Sequence, residues 1–418
     1  MDRAPRRGAS QQVGATVEAA DPSRLEAPPK PIPSGGAPKV LILFSDTGGG
    51  HRAAAKALTE ALKQLDPTCV VTIADPLIAQ GPAVVRRLAS LYSPVIQRSR
   101  ATWGAVYHTS NTRPAFAAIK ALFGPGVRKA VAELIRKHDP DVVLSVHPLL
   151  NHMSHQAIQR SGRPRGLMTV ITDLVDFHRG WTFSQADLVV APTDVARKVA
   201  IRRRVPSDRV KLLGLPVDMR FRPSAPGEKQ ALRRRFGLDE NRFTVLVMGG
   251  AAGVGGLLNQ VRALAWDPHQ WQLIVVCGRN ERLRAQLSQL RFATPTLILG
   301  FVDNMPEIMR ASDVAVTKAG PGAIVEGLAT GLPLIINGFL PGQETPNVDF
   351  VVESGFGAYA PRAADVLEEV RVLAEGGPTW QTMSRRAREL SYPYASQDIA
   401  RECLLLAGRY KASAQASL

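Results

Sequence analysis

Cysteine is scarce. The 418 residues hold three, Cys69, Cys277 and Cys403, too scattered for a disulfide framework or a zinc spacing. A reducing, cytoplasmic setting fits that usage. Long apolar runs are missing as well: none approaches the ~18 residues of a membrane-spanning helix, so no crossing of a bilayer is expected. The first 20 residues carry Arg3, Arg6 and Arg7 but no apolar segment, which argues against a secretory signal. No P-loop sequence occurs. The most telling gap is in acid. Between Asp75 and Glu133 there is neither Asp nor Glu, while Arg86, Arg87, Arg98, Arg100, Arg113, Lys120, Arg128 and Lys129 supply eight bases.

That stretch is one of two basic clusters. Residues 197–235 hold thirteen bases against three acids, whereas the segment before Lys39 is near balance with five and four. The net charge is +16 and the pI near 10.2. A surplus lodged in the folded part asks for a polyanionic partner: nucleic acid, an anionic membrane surface or a phosphorylated substrate. A nucleic-acid module would need a reading helix, a finger or an aromatic RNA motif, and none is recognisable. The rest of the composition, 45% hydrophobic and 21% charged with a mean hydropathy of −0.04, is that of a folded chain of two or three domains.

Residues 1–37, rich in Pro, Ala, Gly and Ser, read as a flexible leader. Order is expected from Lys39. Val40, Leu41, Ile42, Leu43 and Phe44 form the continuous apolar run of a strand buried on both faces. A Gly-rich turn and a helix follow, the helix carrying Ala54, Ala57, Leu58, Ala61, Leu62 and Leu65 three and four apart. Further strands are expected over 70–73, 141–146, 167–172, 188–191 and 210–213. After a linker with Pro216, Pro223, Pro226 and Gly227, the alternation restarts with strands over 244–248, 271–277, 296–299, 313–317 and 332–336. Strands alternating with helices argue for α/β halves built on parallel, doubly wound sheets.

In such sheets ligands sit at the carboxyl ends of the strands, where helix N-termini attract anions. Three strand-to-helix turns fit. The first is Ser45-Asp46-Thr47-Gly48-Gly49-Gly50-His51-Arg52, where His51 is either a general base at the mouth of the cleft or a helix cap. The second, Met248-Gly249-Gly250-Ala251-Ala252-Gly253, lacks the acid that a dinucleotide site places after the next strand, which runs into Cys277-Gly278-Arg279. The third runs from Thr317 and Lys318 through Ala319, Gly320, Pro321, Gly322 and Ala323 to Glu326. Its glycines free backbone N–H groups for a diphosphate, and Pro321 suits a first helical turn. Glu326 lies four residues beyond Gly322, placed to face the same cleft and bind a ribose diol. Gln343 and Glu344, after the next strand, form a polar pair for sugar hydroxyls. Together these turns read as a nucleotide-sugar cleft. Asp139-Pro140-Asp141 spells the acid–any–acid pattern of metal-dependent glycosyltransferases, but it precedes a strand and so lies at the opposite edge. His147, Asp173 and Asp176 end strands at the correct edge, with packing or turn roles and functional roles both open.

The Ser45–Ala53 turn, Lys318-Ala319-Gly320-Pro321-Gly322 and Pro341-Gly342-Gln343-Glu344 resemble those of the monogalactosyldiacylglycerol synthases. These are glycolipid glycosyltransferases of family 28, related to the peptidoglycan N-acetylglucosaminyltransferase. Val170-Ile171-Thr172-Asp173-Leu174, Gly214-Leu215-Pro216-Val217 and Cys277-Gly278-Arg279-Asn280 extend the resemblance, which runs from about Val40 to Tyr359. It implies a GT-B fold, two Rossmann-like domains facing across a cleft. The expected division is an acceptor and membrane-binding domain at 38–220, a UDP-sugar domain at 228–392 and a helix at 393–412 returning to the first domain.

The resemblance also implies roles. His51 is the catalytic base. Phe301 and Val302 contact the uracil, Glu326 the ribose, and Gly320, Pro321, Gly322 and Ala323 the diphosphate. Gln343 and Glu344 hold the hexose, with Gly249, Gly250, Arg279 and Lys318 completing the donor site. Gly49, Gly50, Trp181, Trp103, Arg98, Arg100 and Arg113 are expected on the acceptor and membrane side; apart from the resemblance, the bases of the acid-free stretch are interleaved with Val106, Tyr107, Phe116 and Leu122, a pattern expected to dock on an anionic membrane surface. The implied reaction is inverting transfer of a hexose, galactose first, from a UDP-sugar to diacylglycerol, without metal or other cofactor. Glucosyl or glucuronosyl transfer and a UDP-sugar 2-epimerase without lipid acceptor are the alternatives. The expected partners are a UDP-hexose, diacylglycerol and anionic membrane lipids, with no nucleic acid, and the expected location is cytoplasmic, on a membrane surface.

Overall fold

Strands that are apolar on both faces can be buried only by helices on either side, and parallel neighbours need a crossover between them. The computed structural model, which describes residues 36–46, 49–79, 87, 100–249, 256–267 and 271–415, is built in this way throughout. Most of the expected leader lies outside the described residues. The first half contains β1 (Lys39–Leu43), α1 (Gly50–Leu65), β2 (Val70–Ala74), α2 (Arg100–Ser110), α3 (Arg113–His138) and β3 (Val142–Ser145). It continues with α4 (Asn151–Gln159), β4 (Gly166–Val170), β5 (Leu188–Ala191), α5 (Asp194–Arg202) and β6 (Val210–Leu212).

The second half opens with α6 (Glu228–Arg235), β7 (Phe243–Met248), α7 (Leu257–Ala265), β8 (Trp271–Val276), α8 (Glu281–Ser288) and β9 (Thr296–Leu299). Then come α9 (Met305–Ala311), β10 (Val314–Lys318), α10 (Pro321–Thr330), β11 (Leu334–Gly338), α11 (Thr345–Glu353) and β12 (Gly357–Tyr359). Helices α12 (Ala363–Ala374), α13 (Pro378–Glu389) and α14 (Ala395–Gln415) end the chain.

The strands form two parallel six-stranded sheets, β2-β1-β3-β4-β5-β6 and β12-β11-β10-β7-β8-β9. The α/β, doubly wound expectation therefore holds, with strand ends displaced by one or two residues. The three-residue strand β12 was not expected; Gly357-Ala358-Tyr359 is too short to show a pattern. Apolar clusters cover both faces of each sheet. In α14, Ile399, Ala400, Cys403, Leu404 and Leu406 join the core of the first sheet beside Ala54, Leu58 and Leu62 of α1. The last helix thus packs on the first half of the chain.

Strand order decides where a site can form. Each sheet reverses its winding between two neighbours, β1 and β3 in the first and β7 and β10 in the second. At such a reversal successive connections leave in opposite directions and open a crevice at the carboxyl ends. His51 follows β1, His147 follows β3, Gly249 follows β7 and Gly320 follows β10. The chemistry-bearing turns occupy both switch points. No helix among the described residues is long and apolar enough to cross a membrane.

Candidate active site

Gly49 begins the first wall. Its φ of +82° lies in the left-handed region that favours glycine, and it turns the chain from β1 into α1. Gly50 is the first residue of that helix and His51 the second. The His51 Nδ1 lies 3.1 Å from the Thr172 Oγ1 at the end of β4. Its ring centroid is 4.7 Å from that of His147, edge to face, and 6.3 Å from that of Trp181. Burial pulls the His51 imidazole down to about 4, outweighing a hydrogen bond to the Val146 main chain that favours the charged form. His147 is held well below its ordinary value, first by burial and then by its neighbours His51 and His178. Two neutral imidazoles therefore stand side by side at neutral pH, and a neutral imidazole is what a general base requires.

Asp173 follows Thr172. Its Oδ2 accepts a hydrogen bond from the Trp181 indole N–H at 2.7 Å, and its Oδ1 accepts one from the Gln343 amide at 3.4 Å. Burial pushes its carboxyl up to about 6 against both hydrogen bonds. Trp181, expected on the acceptor and membrane side, is completely buried and so does not reach a membrane surface; its indole is an inner wall of the site and holds a carboxylate. The bland reading of Asp173 as a turn residue is also too small, since its carboxylate joins the two halves of the chain.

The second wall is the α10 turn. Gly320 caps the helix, Pro321 is its first residue, and Gly322 and Ala323 complete the first turn. Glu326 lies one turn on, near enough to Gly322 that a Cβ there would meet its Oε1 at 4.0 Å. Burial, with Asp218 nearby, pushes the Glu326 carboxyl up to about 7. Phe301 is 66% exposed at the rim, half-buried Val302 follows it, and the Arg279 guanidinium stacks over the Phe301 ring at 5.1 Å. Arg279 also reaches towards the first wall. Asp46 is held below the usual carboxylate range by its hydrogen bond to Arg52, and Arg279 adds to that effect. Gly249 is buried at the end of β7; Gly250 lies outside the described residues.

Glu344, expected to hold the hexose, is engaged within its own turn. It is buried, its Oε1 is paired with Lys318, and its Oε2 accepts from the Leu340 backbone N–H at 2.8 Å. Lys318 and Glu344 thus brace the turn that carries Gln343, which faces the first half. The loop is also packed from α2. A Cβ on Gly104 would meet the Pro341 Cβ at 3.1 Å, and one on Gly342 would meet Tyr107 at 3.0 Å. Two glycines thus permit a close approach between a helix of one half and a turn of the other.

The acid-free stretch divides. Arg98 lies outside the described residues, and Arg100 is the first residue of α2. Arg113 opens α3 on the surface, and Trp103 is half-buried on α2. Tyr107 and Phe116, expected among the interface residues, are buried instead, each packing edge to face on the His178 ring. Val106 and Leu122 remain exposed, Leu122 by 74%. Asp139 and Asp141 lie at the amino edge and pair with Arg163 and Arg165, far from the cleft in the fold. Among the described residues no group of three or more His, Cys, Asp and Glu is arranged to hold a metal ion. Thr172 and Gly104 were not anticipated as site residues, and Tyr107 was expected at the membrane interface rather than in the site. For Thr172 the signal was its place at the carboxyl end of the strand beside β3; for the other two only the packed chain reveals it.

Family models agree with the two halves. Residues 51–217 match monogalactosyldiacylglycerol (MGDG) synthase, and residues 244–347 match the glycosyltransferase family 28 C-terminal domain. Monogalactosyldiacylglycerol synthase 1, chloroplastic, of Arabidopsis thaliana is 34% identical over 372 residues, 85% of this chain and 69% of that protein. Among solved structures, the S. aureus MnaA–UDP co-structure has a TM-score of 0.57 at 15% identity, covering 87% of this chain and 94% of that one. CalG4, the calicheamicin glycosyltransferase, has the same TM-score at 14% identity, covering 89% and 99%. At such identities these structures speak for the fold, which is GT-B. The paired histidines at one switch point, the Gly-Pro-Gly helix turn at the other and sequence identity across both halves lead to one assignment: this chain belongs to the monogalactosyldiacylglycerol synthase family of glycosyltransferases.

Proposed function

We propose that this chain transfers galactose from UDP-galactose to the free hydroxyl of diacylglycerol, with inversion at the anomeric carbon. The observation that carries the reading is a neutral, orientated His51 at the head of α1, across the cleft from the Gly320–Glu326 turn. In this reaction the acceptor oxygen forms a bond to the anomeric carbon as the bond to the diphosphate oxygen breaks. His51 takes the acceptor proton. The negative charge that grows on the leaving UDP meets the N-terminal N–H groups of α10 and the positive end of its dipole. Glu326 accepts hydrogen bonds from the ribose diol, and Phe301 with Val302 receives the uracil. Gln343 meets the hexose. The scheme has no metal step: helix dipole and backbone donors take the diphosphate charge.

The relatives' printed names support diacylglycerol as acceptor, and the MnaA co-structure supports UDP as the nucleotide that this fold accommodates. The nucleic-acid and epimerase readings lose ground against a synthase relative that matches most of the chain. An acceptor with two acyl chains resides in a bilayer, so a protein acting on it docks at the surface. The exposed Val106 and Leu122, with Arg113 and Lys129 on the same pair of helices, fit such docking on an anionic membrane.

The test is direct. Purified protein is incubated with diacylglycerol vesicles and, separately, UDP-galactose, UDP-glucose and UDP-glucuronate, and the lipid product is identified by mass and anomeric configuration. A β-galactosyl lipid is expected. Preferential glucosyl or glucuronosyl product replaces the sugar, and UDP-sugar conversion that ignores the lipid overturns the function.

A further inference from the structure

Gln343 is only half satisfied. Its Nε2 donates to Asp173 across the cleft, while its Oε1 is shielded from water and has no hydrogen-bond partner. A carboxylate only accepts hydrogen bonds, whereas an amide can present either end. Because Oδ2 of Asp173 is taken by the Trp181 indole, Oδ1 remains for Gln343, and only the amide NH₂ can serve it. The carbonyl end is then forced the other way. A buried acceptor left without a donor is costly, so this oxygen awaits an incoming O–H or N–H group.

We infer that Asp173 is a positioning residue for the donor sugar: by accepting from the Gln343 Nε2 it orients the amide so that Oε1 takes a hydrogen bond from a hexose hydroxyl. Since Trp181 anchors the same carboxylate beside His51, the sugar grip of one half is referenced to the base of the other. The inference rests on the UDP-hexose reading of the cleft and adds a direction to it. The hexose hydroxyl at this point donates. Burial, Glu344 and Asp176 keep Asp173 near pKa about 6, so it is ionised at pH 7.5, where the test is run.

The experiment exchanges the two polar groups and measures calorimetric affinities for UDP-galactose and for UDP. Asp173→Asn turns one acceptor into a donor, and Gln343→Glu sets two carboxylates face to face. Each single change is expected to weaken UDP-galactose about tenfold, the order of one hydrogen bond, while leaving UDP unchanged. The combined D173N/Q343E protein puts the donor at position 173 and the acceptor at position 343. Its affinity for UDP-galactose is expected to return to within about threefold of wild type, as coupled neighbours do in a double-mutant cycle. A combined protein no better than the worse single variant, or single changes that weaken UDP as much as UDP-galactose, overturns the inference and leaves the function standing. Wild-type protein that binds neither ligand overturns both.

Discussion

The two walls of the cleft are buried to a similar degree and titrate in opposite directions. On the first, burial keeps His51 and His147 uncharged, which makes a base available for an acceptor hydroxyl. On the second, burial holds Glu326 near pKa about 7, which leaves a carboxylate ready to gain hydrogen-bond donors. Desolvation always penalises the charged form, so the same environment prepares a cation-former to accept a proton and an anion-former to accept a ligand. In the proposed reaction chemistry and binding are separated between the halves, and each can be attacked alone.

The largest expected effect is on the base. His51→Ala should lower kcat by roughly 10²–10⁴ with UDP affinity nearly unchanged, measured by lipid product formation alongside calorimetry. If UDP affinity falls with kcat, the two walls are not separable in function. Next is the ribose contact. Glu326→Ala should weaken UDP by about 1.5–3 kcal/mol, the range for a hydrogen bond to a charged group.

The same carboxylate gives a pH test. The diol donates best to the ionised form, so UDP affinity should rise several-fold, by roughly the linkage expected of one titrating group, as pH increases from about 6 to 8. Glu326→Gln should flatten that profile.

Acid stability compares the walls in one measurement. His51, His178 and, on α4, His152 are lowered to about 4 by burial, and His147 is held well below its ordinary value. The unfolded chain therefore binds more protons at these sites than the native one between pH about 4 and 6.5, so their contribution is lost as pH falls through that window. Asp173 and Glu326, raised by burial to about 6 and about 7, act in the opposite sense and gain as pH falls. Four imidazoles against two carboxyls give a net loss. A melting temperature lower by several degrees at pH 4.5 than at 6.5 is expected in scanning calorimetry. An unchanged or higher value would mean that the carboxyls dominate.

The smallest effect is at the rim. Phe301→Ala should cost UDP affinity about 0.5–1 kcal/mol, the scale of an exposed cation–π pair, by releasing Arg279. Outside the cleft, Arg113→Glu with Leu122→Ser should weaken binding to anionic vesicles in sedimentation assays and leave UDP affinity alone. Equal sedimentation of variant and wild type would move the docking face elsewhere.

Much of this was legible from local pattern. The run Val40–Phe44 could only be an interior parallel strand, and a Gly-rich turn after it could only open a helix at the carboxyl edge. Gly320-Pro321-Gly322 announced an anion-binding helix start in the same way. Trp181 was placed on the acceptor and membrane side by its position in the resemblance, and only the packed chain shows its indole buried against Asp173. Glu344 was read as a sugar ligand from its place beside Gln343 after β11; its pairing with Lys318, a strand and a helix away, shows only in the packed chain. Tyr107 and Phe116 suited an interface by composition, and only the position of His178 shows that they point inwards.

The division follows from the range of the interactions. Apolar periodicity, glycine and proline act within a few residues, so the sequence alone determined two parallel α/β halves and the turns at which ligands approach. Desolvation and hydrogen-bond partnership depend on what arrives from elsewhere in the chain. Only the tertiary structure decided that His51 is neutral, that Glu344 pairs with Lys318 and the Leu340 backbone, and that Asp173 reaches across 170 residues to orient Gln343.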